Sequence, residues 1–151
     1  MSAAARSVEV VVDGIPAPRW RMRAVRFCTR FLSEAGYAEW EIAVLLCDDQ
    51  KIAELNGRFR GHAVPTDVLS FPREEGSTGS RVEGDIAVSL LMLRRNAASF
   101  EVTEDEELKR LLAHGMLHLA GMDHGRGRGG AMLARQEELL ELTRDIHIMA
   151  E

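Results

Sequence analysis

Three of the five histidines in the chain fall between His114 and His124, in the segment HGMLHLAGMDH. His114 and His118 are one helical turn apart, so on a helix their imidazoles project to the same side and can meet one metal ion. Gly121 lets the chain reverse and return His124 as a third nitrogen. Three protein ligands with a fourth position open to water is the arrangement of a catalytic zinc, and nickel or another borderline ion suits the same donors. Packing or capping explains a single histidine well, but it would have to act three times within one turn-and-return segment.

The spacing resembles that of the metzincin peptidases, H-E-x-x-H-x-x-G-x-x-H, at each ligand and at the glycine. Gly115, however, stands where those enzymes carry the glutamate that activates water. Peptide hydrolysis needs that proton shuttle. Phosphodiester hydrolysis survives its loss more easily, because the metal lowers the pKa of water directly and nonbridging phosphate oxygens can assist.

Arginine supplies what a phosphate demands. Of the 19 basic residues, 17 are Arg and two are Lys, and the guanidinium fork suits phosphate oxygens, although gene composition can produce the same bias. Arg58 and Arg60 lie before the Pro65 segment, Arg126 and Arg128 follow the third histidine, and Arg19, Arg23, Arg26 and Arg30 form a ridge at helical spacing. The ridge reads more readily as a solvated face than as a nucleic-acid contact, because the chain as a whole is acidic at net charge −5.

The motif set resembles the YbeY-type endoribonuclease family of ribosomal RNA maturation proteins. The likeness runs from Leu55-Asn56 through Phe59-Arg60, the segment Pro65-Thr66-Asp67-Val68-Leu69-Ser70-Phe71-Pro72 and Gly84-Asp85-Ile86 to the histidines at 114–124, with Met132, Glu137 and Glu138 matching the C-terminal pattern. It implies a compact α/β metalloprotein with one zinc ion on His114, His118 and His124, and with Arg60 clamping the scissile phosphate. Arg58 is a weaker phosphate contact. Asp85 either orients a ligand or the water, or serves a turn or cap, and Asp123 has the same alternatives. Thr66, Asp67 and Ser70 read as local backbone hydrogen bonding, and His62 as an exposed loop residue that otherwise helps bind RNA. The implied partners are single-stranded RNA, ribosomal RNA, small-subunit ribosomal proteins and an assembly GTPase. A noncatalytic assembly factor with a structural metal and a metallopeptidase are the competing readings.

The elements that must position these residues follow from periodicity. Ser7 to Val12 reads as a strand, and Trp20, Ala24, Phe27, Cys28, Phe31 and Ala35 form one helical stripe. Glu41 to Cys47 is a strand, Gln50 to Asn56 a short helix capped by Asp48 or Asp49, Val68 to Phe71 a third strand, Pro72 to Gly84 a loop and Asp85 to Val88 a fourth strand. Ser89 caps a helix to Ala98. Thr103 and Glu106 have capping-box spacing at the head of a helix to Ala120, where Glu104 to Glu107 complement the helix dipole. The two histidines of this helix fall about 80 to 100 degrees from its leucine stripe, at the edge of the core. A last helix spans Ala131 to His147. The expected fold is therefore α/β, with a four-stranded mixed sheet and about five helices.

At 151 residues, 46% hydrophobic and 28% charged, the chain suits one domain, 1–151, with no membrane span. The start MSAAARSVEVVVDG lacks the apolar core of a secretory signal, so the expected location is the cytoplasm. Cys28 and Cys47 are too few for a disulfide framework and read as buried thiols.

Overall fold

Alternating valines build β1 (Arg6–Asp13), whose Val10 is buried while Val11 faces the other side. The same alternation recurs in β2 (Glu39–Cys47) and β4 (Arg81–Ser89), so each strand sends one row of side chains to each face. The structure, a computed structural model, describes residues 5–73, 79–122 and 129–149. Its sheet order is β1-β2-β4-β3, with β1, β2 and β4 parallel and the short edge strand β3 (Val68–Pro72) antiparallel to β4. Helices α1 (Arg21–Glu34), α2 (Asp49–Arg60), α3 (Leu90–Phe100), α4 (Glu104–Leu119) and α5 (Gly129–Leu142) complete the expected mixed α/β architecture.

The larger core lies on one face of the sheet. Trp40, Ile42, Val44, Leu46, Val82, Ile86 and Val88 pack there against Phe27 and Phe31 of α1 and Leu108, Leu111, Leu112, Met116 and Leu119 of α4. Each such side chain contributes about 1.5–3 kcal/mol when taken from water. Helix α2 covers only part of the opposite face, where Cys47, Ile52, Leu69 and Ala87 form a smaller cluster with Leu45, Leu55 and Phe71. The two thiols are buried, as expected, and burial pushes both up to about 12. No helix among the described residues is long and apolar enough to cross a membrane.

Three element boundaries differ by four residues or more from the periodicity reading. Helix α2 continues past Asn56 to Arg60, because Leu55 and Phe59 extend its stripe and Gly61, in the left-handed region at φ 78°, ends it before Pro65 acts. Asn56 is buried and its side-chain amide donates to the Val64 carbonyl at 3.0 Å, which folds the following loop back on the helix. Strand β4 begins four residues early because Arg81 and Arg73 neutralise Glu39, Glu41 and Glu83 across the strands. Helix α5 ends at Leu142; beyond it the backbone amides of Ile148 and Met149 both donate to Asp105 Oδ1 at 2.7 Å, tying the tail to α4. The arginine ridge of α1 holds that same tail: Arg23 donates to the Ile148 carbonyl, and Arg30 to the Leu142 carbonyl and to Asp145.

Candidate active site

Helix α4 starts from a complete capping box, in which Thr103 accepts from the Glu106 amide at 3.0 Å and Glu106 accepts from the Thr103 amide at 3.1 Å. About three and four turns on, His114 and His118 stand half-buried with ring centroids 4.7 Å apart in an edge arrangement. Between them Gly115 is fully enclosed, and a methyl group there would lie 3.0 Å from both Cδ1 and Cγ2 of Ile86. The missing side chain lets α4 press onto β4, which fixes the height of the imidazoles over the sheet edge. A glutamate here would have to start its side chain against Ile86, although the backbone of Gly115 borders the histidine cleft.

Arg60 reaches the same cleft from the other side of the sheet. It leaves the last turn of α2, and its Nη2 donates to the Ser70 carbonyl on β3 at 2.8 Å. A cleft of about 160 Å³ is lined by Arg60, Val68, Ser70, His114, Gly115 and His118. No carboxylate among the described residues pairs with Arg60, whereas Arg58 lies 3.6 Å from Glu54. The structure therefore brings His114, His118 and Arg60 together and diverts Arg58. His124, Asp123, Arg126 and Arg128 lie outside the described residues. Among the described residues no third His, Cys, Asp or Glu joins the histidine pair. The two imidazoles fit a borderline metal in donor type and in sharing one side of α4.

Asp85 stands elsewhere. On β4 the residues Ile86 and Val88 face α4, so Asp85, out of phase with them, faces the α2 side with Ala87. It lines a second groove of about 630 Å³ with Val11, Ala43, Phe59 and Phe71. Arg60 and Ser70 border both spaces, so β3 forms the ridge between them. His62 is exposed and lines neither.

Periodicity alone missed the group that fixes β3 to α4. Glu107 is 1% exposed although its place in the acidic first turn marks it as a dipole complement. It accepts from Arg110 Nε at 2.8 Å and Nη2 at 2.6 Å, and from Asn96 Nδ2 at 3.2 Å. Asn96 also donates to Asp67 Oδ2 at 3.0 Å, while Asp67 Oδ1 accepts from the Val68 amide at 2.7 Å. Asp67 thus does more than the local bonding expected of it: it joins the start of β3 to α3 and α4. The bond to Glu107 holds the Arg110 guanidinium above its ordinary range. The available signal was position, since Glu107 precedes Leu111 by one turn and His114 by two, on the inward side.

Comparison with known proteins places this arrangement. Residues 12–144 match the profile of the family described as Endoribonuclease YbeY. The protein of that description from Treponema pallidum is 37% identical over 139 residues, spanning 88% of this chain and 87% of its own. Its Treponema denticola counterpart is 41% identical over 133 residues, spanning 84% and 86%. The solution structure of a Thermotoga maritima protein superposes with a TM-score of 0.66 at 28% identity, covering 92% of this chain and 90% of the other. The motif likeness, the fold and these matches along most of each chain agree, and the protein belongs to the endoribonuclease YbeY family.

Proposed function

We propose that the chain is a zinc-dependent endoribonuclease that cuts single-stranded RNA, with His114, His118 and His124 holding the ion and Arg60 binding the scissile phosphate. The observation that carries this reading is the cleft shared by two imidazoles and an Arg60 that has no acidic partner among the described residues. A bound zinc supplies Lewis acidity, bringing the ionisation of water towards neutrality and polarising phosphoryl oxygens. Arg60 has five donors; one is spent on the Ser70 carbonyl, and the rest of the fork is available to nonbridging oxygens as negative charge develops. Ser70 holds the guanidinium in place before substrate arrives, which removes the entropy of ordering it during the reaction. The proposed substrate is ribosomal RNA of the small subunit, met in the cytoplasm in company with ribosomal proteins and an assembly GTPase.

Among the described residues a peptidase reading finds no base: Gly115 packs on Ile86, and Asp85 faces away from the histidines. The test is cleavage of defined single- and double-stranded RNA by zinc-loaded wild type, His118→Ala and Arg60→Ala, with metal analysis of each. His118→Ala is expected to lose bound zinc and cleavage together. Arg60→Ala should keep its metal and lose turnover. Full activity of a metal-free His118→Ala sample overturns the metal assignment; loss of zinc from Arg60→Ala makes that arginine structural.

A further inference from the structure

The groove on the α2 side holds a carboxylate in a largely apolar setting, with Arg60 and Ser70 at its β3 edge. Asp85 is exposed, and among the described residues its carboxylate has no hydrogen-bond or ion-pair partner. Its neighbours across the sheet are Ala43 on β2 and Phe71 on β3, neither of which can pair with it. Earlier on the same face Glu39, Glu41 and Glu83 are each neutralised by Arg73 or Arg81, so the lack of a partner at Asp85 is not a property of the face as a whole.

The space around Asp85 has the shape of a site for a flat ring. Ala43 and Ala87 leave the floor low, while Phe59, 58% exposed, and Phe71 form a tilted aromatic pair with centroids 5.2 Å apart. The Arg60 guanidinium carbon stands 6.0 Å from the Phe71 centroid on the ridge. Phe71 and Asp85 are directly opposite on adjacent strands, so their Cβ atoms are about 5 Å apart. A base stacked on the phenylalanines therefore presents its edge to the carboxylate.

We infer that this groove is a nucleobase subsite beside the phosphate site, and that Asp85 selects guanine. An ionised carboxylate only accepts hydrogen bonds. Guanine presents two adjacent donors on its Watson–Crick edge, N1–H and the N2 amine, which one carboxylate can take together. Adenine and cytosine each offer an amine beside a ring nitrogen acceptor, and uracil a single N–H between two carbonyls, so each sets a lone pair against the carboxylate. Arg60 borders both spaces, so an RNA strand crossing the β3 ridge can leave its phosphate on the histidine side and turn the adjacent base into the groove. The inference rests on the proposed role of Arg60 for that geometry, but base choice can be read without cleavage.

The test is binding of metal-free protein to pentaribonucleotides of adenosine carrying guanosine, inosine, adenosine, cytidine or uridine at the centre. Guanosine should bind about tenfold tighter than adenosine, with inosine, which lacks the N2 amine, in between. Asp85→Asn should compress the guanosine-to-adenosine ratio to about threefold or less, because its amide opposes one donor with another. Phe59→Leu should weaken all five while keeping their order. Equal affinities in the wild type, no measurable binding of any, or a guanosine preference that survives Asp85→Asn overturns the inference. An Asp85 variant that disturbs only a protein complex, with RNA affinities unchanged, overturns it in favour of a protein-docking face. An inactive but guanosine-selective protein would instead refute the cleavage mechanism and leave the subsite standing.

Discussion

Replacing Gly115 by alanine tests whether the close approach of α4 to β4 sets the active site. Taken alone, alanine in a helix interior gains about 1 kcal/mol over glycine. Here the new methyl meets Cδ1 and Cγ2 of Ile86 at 3.0 Å and Cγ1 at 3.2 Å, and all three belong to a buried, β-branched side chain with no free end to swing aside. Overpacking of this kind costs about 1–3 kcal/mol. The net expectation is a loss of about 1 kcal/mol, which for a chain of this size is a fall in Tm of about 2–4 °C. Because α4 carries His114 and His118, a shift of a few tenths of an ångström should also lower turnover several-fold beyond the change in folded population. Ile86→Val removes the Cδ1 contact and leaves Cγ2, so the double variant should be at least about 0.5 kcal/mol more stable than the sum of the two single losses. Urea denaturation and cleavage kinetics of the four proteins give the cycle. Gly115→Ala that is more stable than wild type, with unchanged turnover, would refute the reasoning.

Other consequences follow from buried groups. Arg110→Ala should cost about 3 kcal/mol, since it strands the Glu107 carboxylate inside the protein with Asn96 as its main remaining donor, whereas Glu107→Gln should cost about 1 kcal/mol because the half-exposed Arg110 can turn to water and Asp67. Chemical denaturation showing the reverse order would mean that the charge balance is set elsewhere. The thiols of Cys28 and Cys47, raised from about 9 to about 12, should resist alkylation at pH 8 in the native protein and both react in denaturant. The same shift has a sign: between about pH 9 and 12 the folded state keeps protons that the unfolded state releases, so each thiol lowers stability by up to about 1.4 kcal/mol per pH unit as pH rises. Cys28→Ala should flatten that alkaline slope, and an identical slope in both proteins would count against the buried-thiol account. Thr103→Ala, which removes the capping box, should cost about 0.5–2 kcal/mol in thermal melts.

Local periodicity and motif spacing carried most of the architecture, because the elements are short, amphipathic and closed by strong signals such as Thr103 and Ser89, whose hydroxyl accepts from the Met92 amide. The histidine pair was legible for the same reason: two residues on one helix have a fixed relation whatever the tertiary structure. Relations between elements were not. Asp85 looked like a companion of the histidines because both belong to the family motifs, yet strand alternation sends it to the opposite face, and motif membership carries no information about phase across a sheet. By sequence position Glu107 groups with its acidic neighbours as a dipole complement, while burial depends on what packs above it. The arginine ridge on α1 was legible as a ridge, but its partners Leu142, Asp145 and Ile148 lie more than 110 residues away in sequence.

The bond from Arg60 to Ser70 joins two requirements that are usually met separately. Strand β3 is the edge of the sheet, and an open edge exposes backbone groups that can pair with another chain. The guanidinium covers one of these, the Ser70 carbonyl, while its planar fork carries further donors in fixed relation to that bond. A lysine at this position keeps the charge but has a single flexible nitrogen, which can serve the carbonyl or a phosphate and not both in fixed geometry. Arg60→Lys should therefore lose nearly as much turnover as Arg60→Ala while restoring much of the salt-dependent RNA affinity, since that part of binding needs only a positive charge near the backbone. Measuring kcat against affinity across ionic strength separates the two. If lysine restores both, Arg60 acts as a point charge and its bond to Ser70 contributes nothing to catalysis.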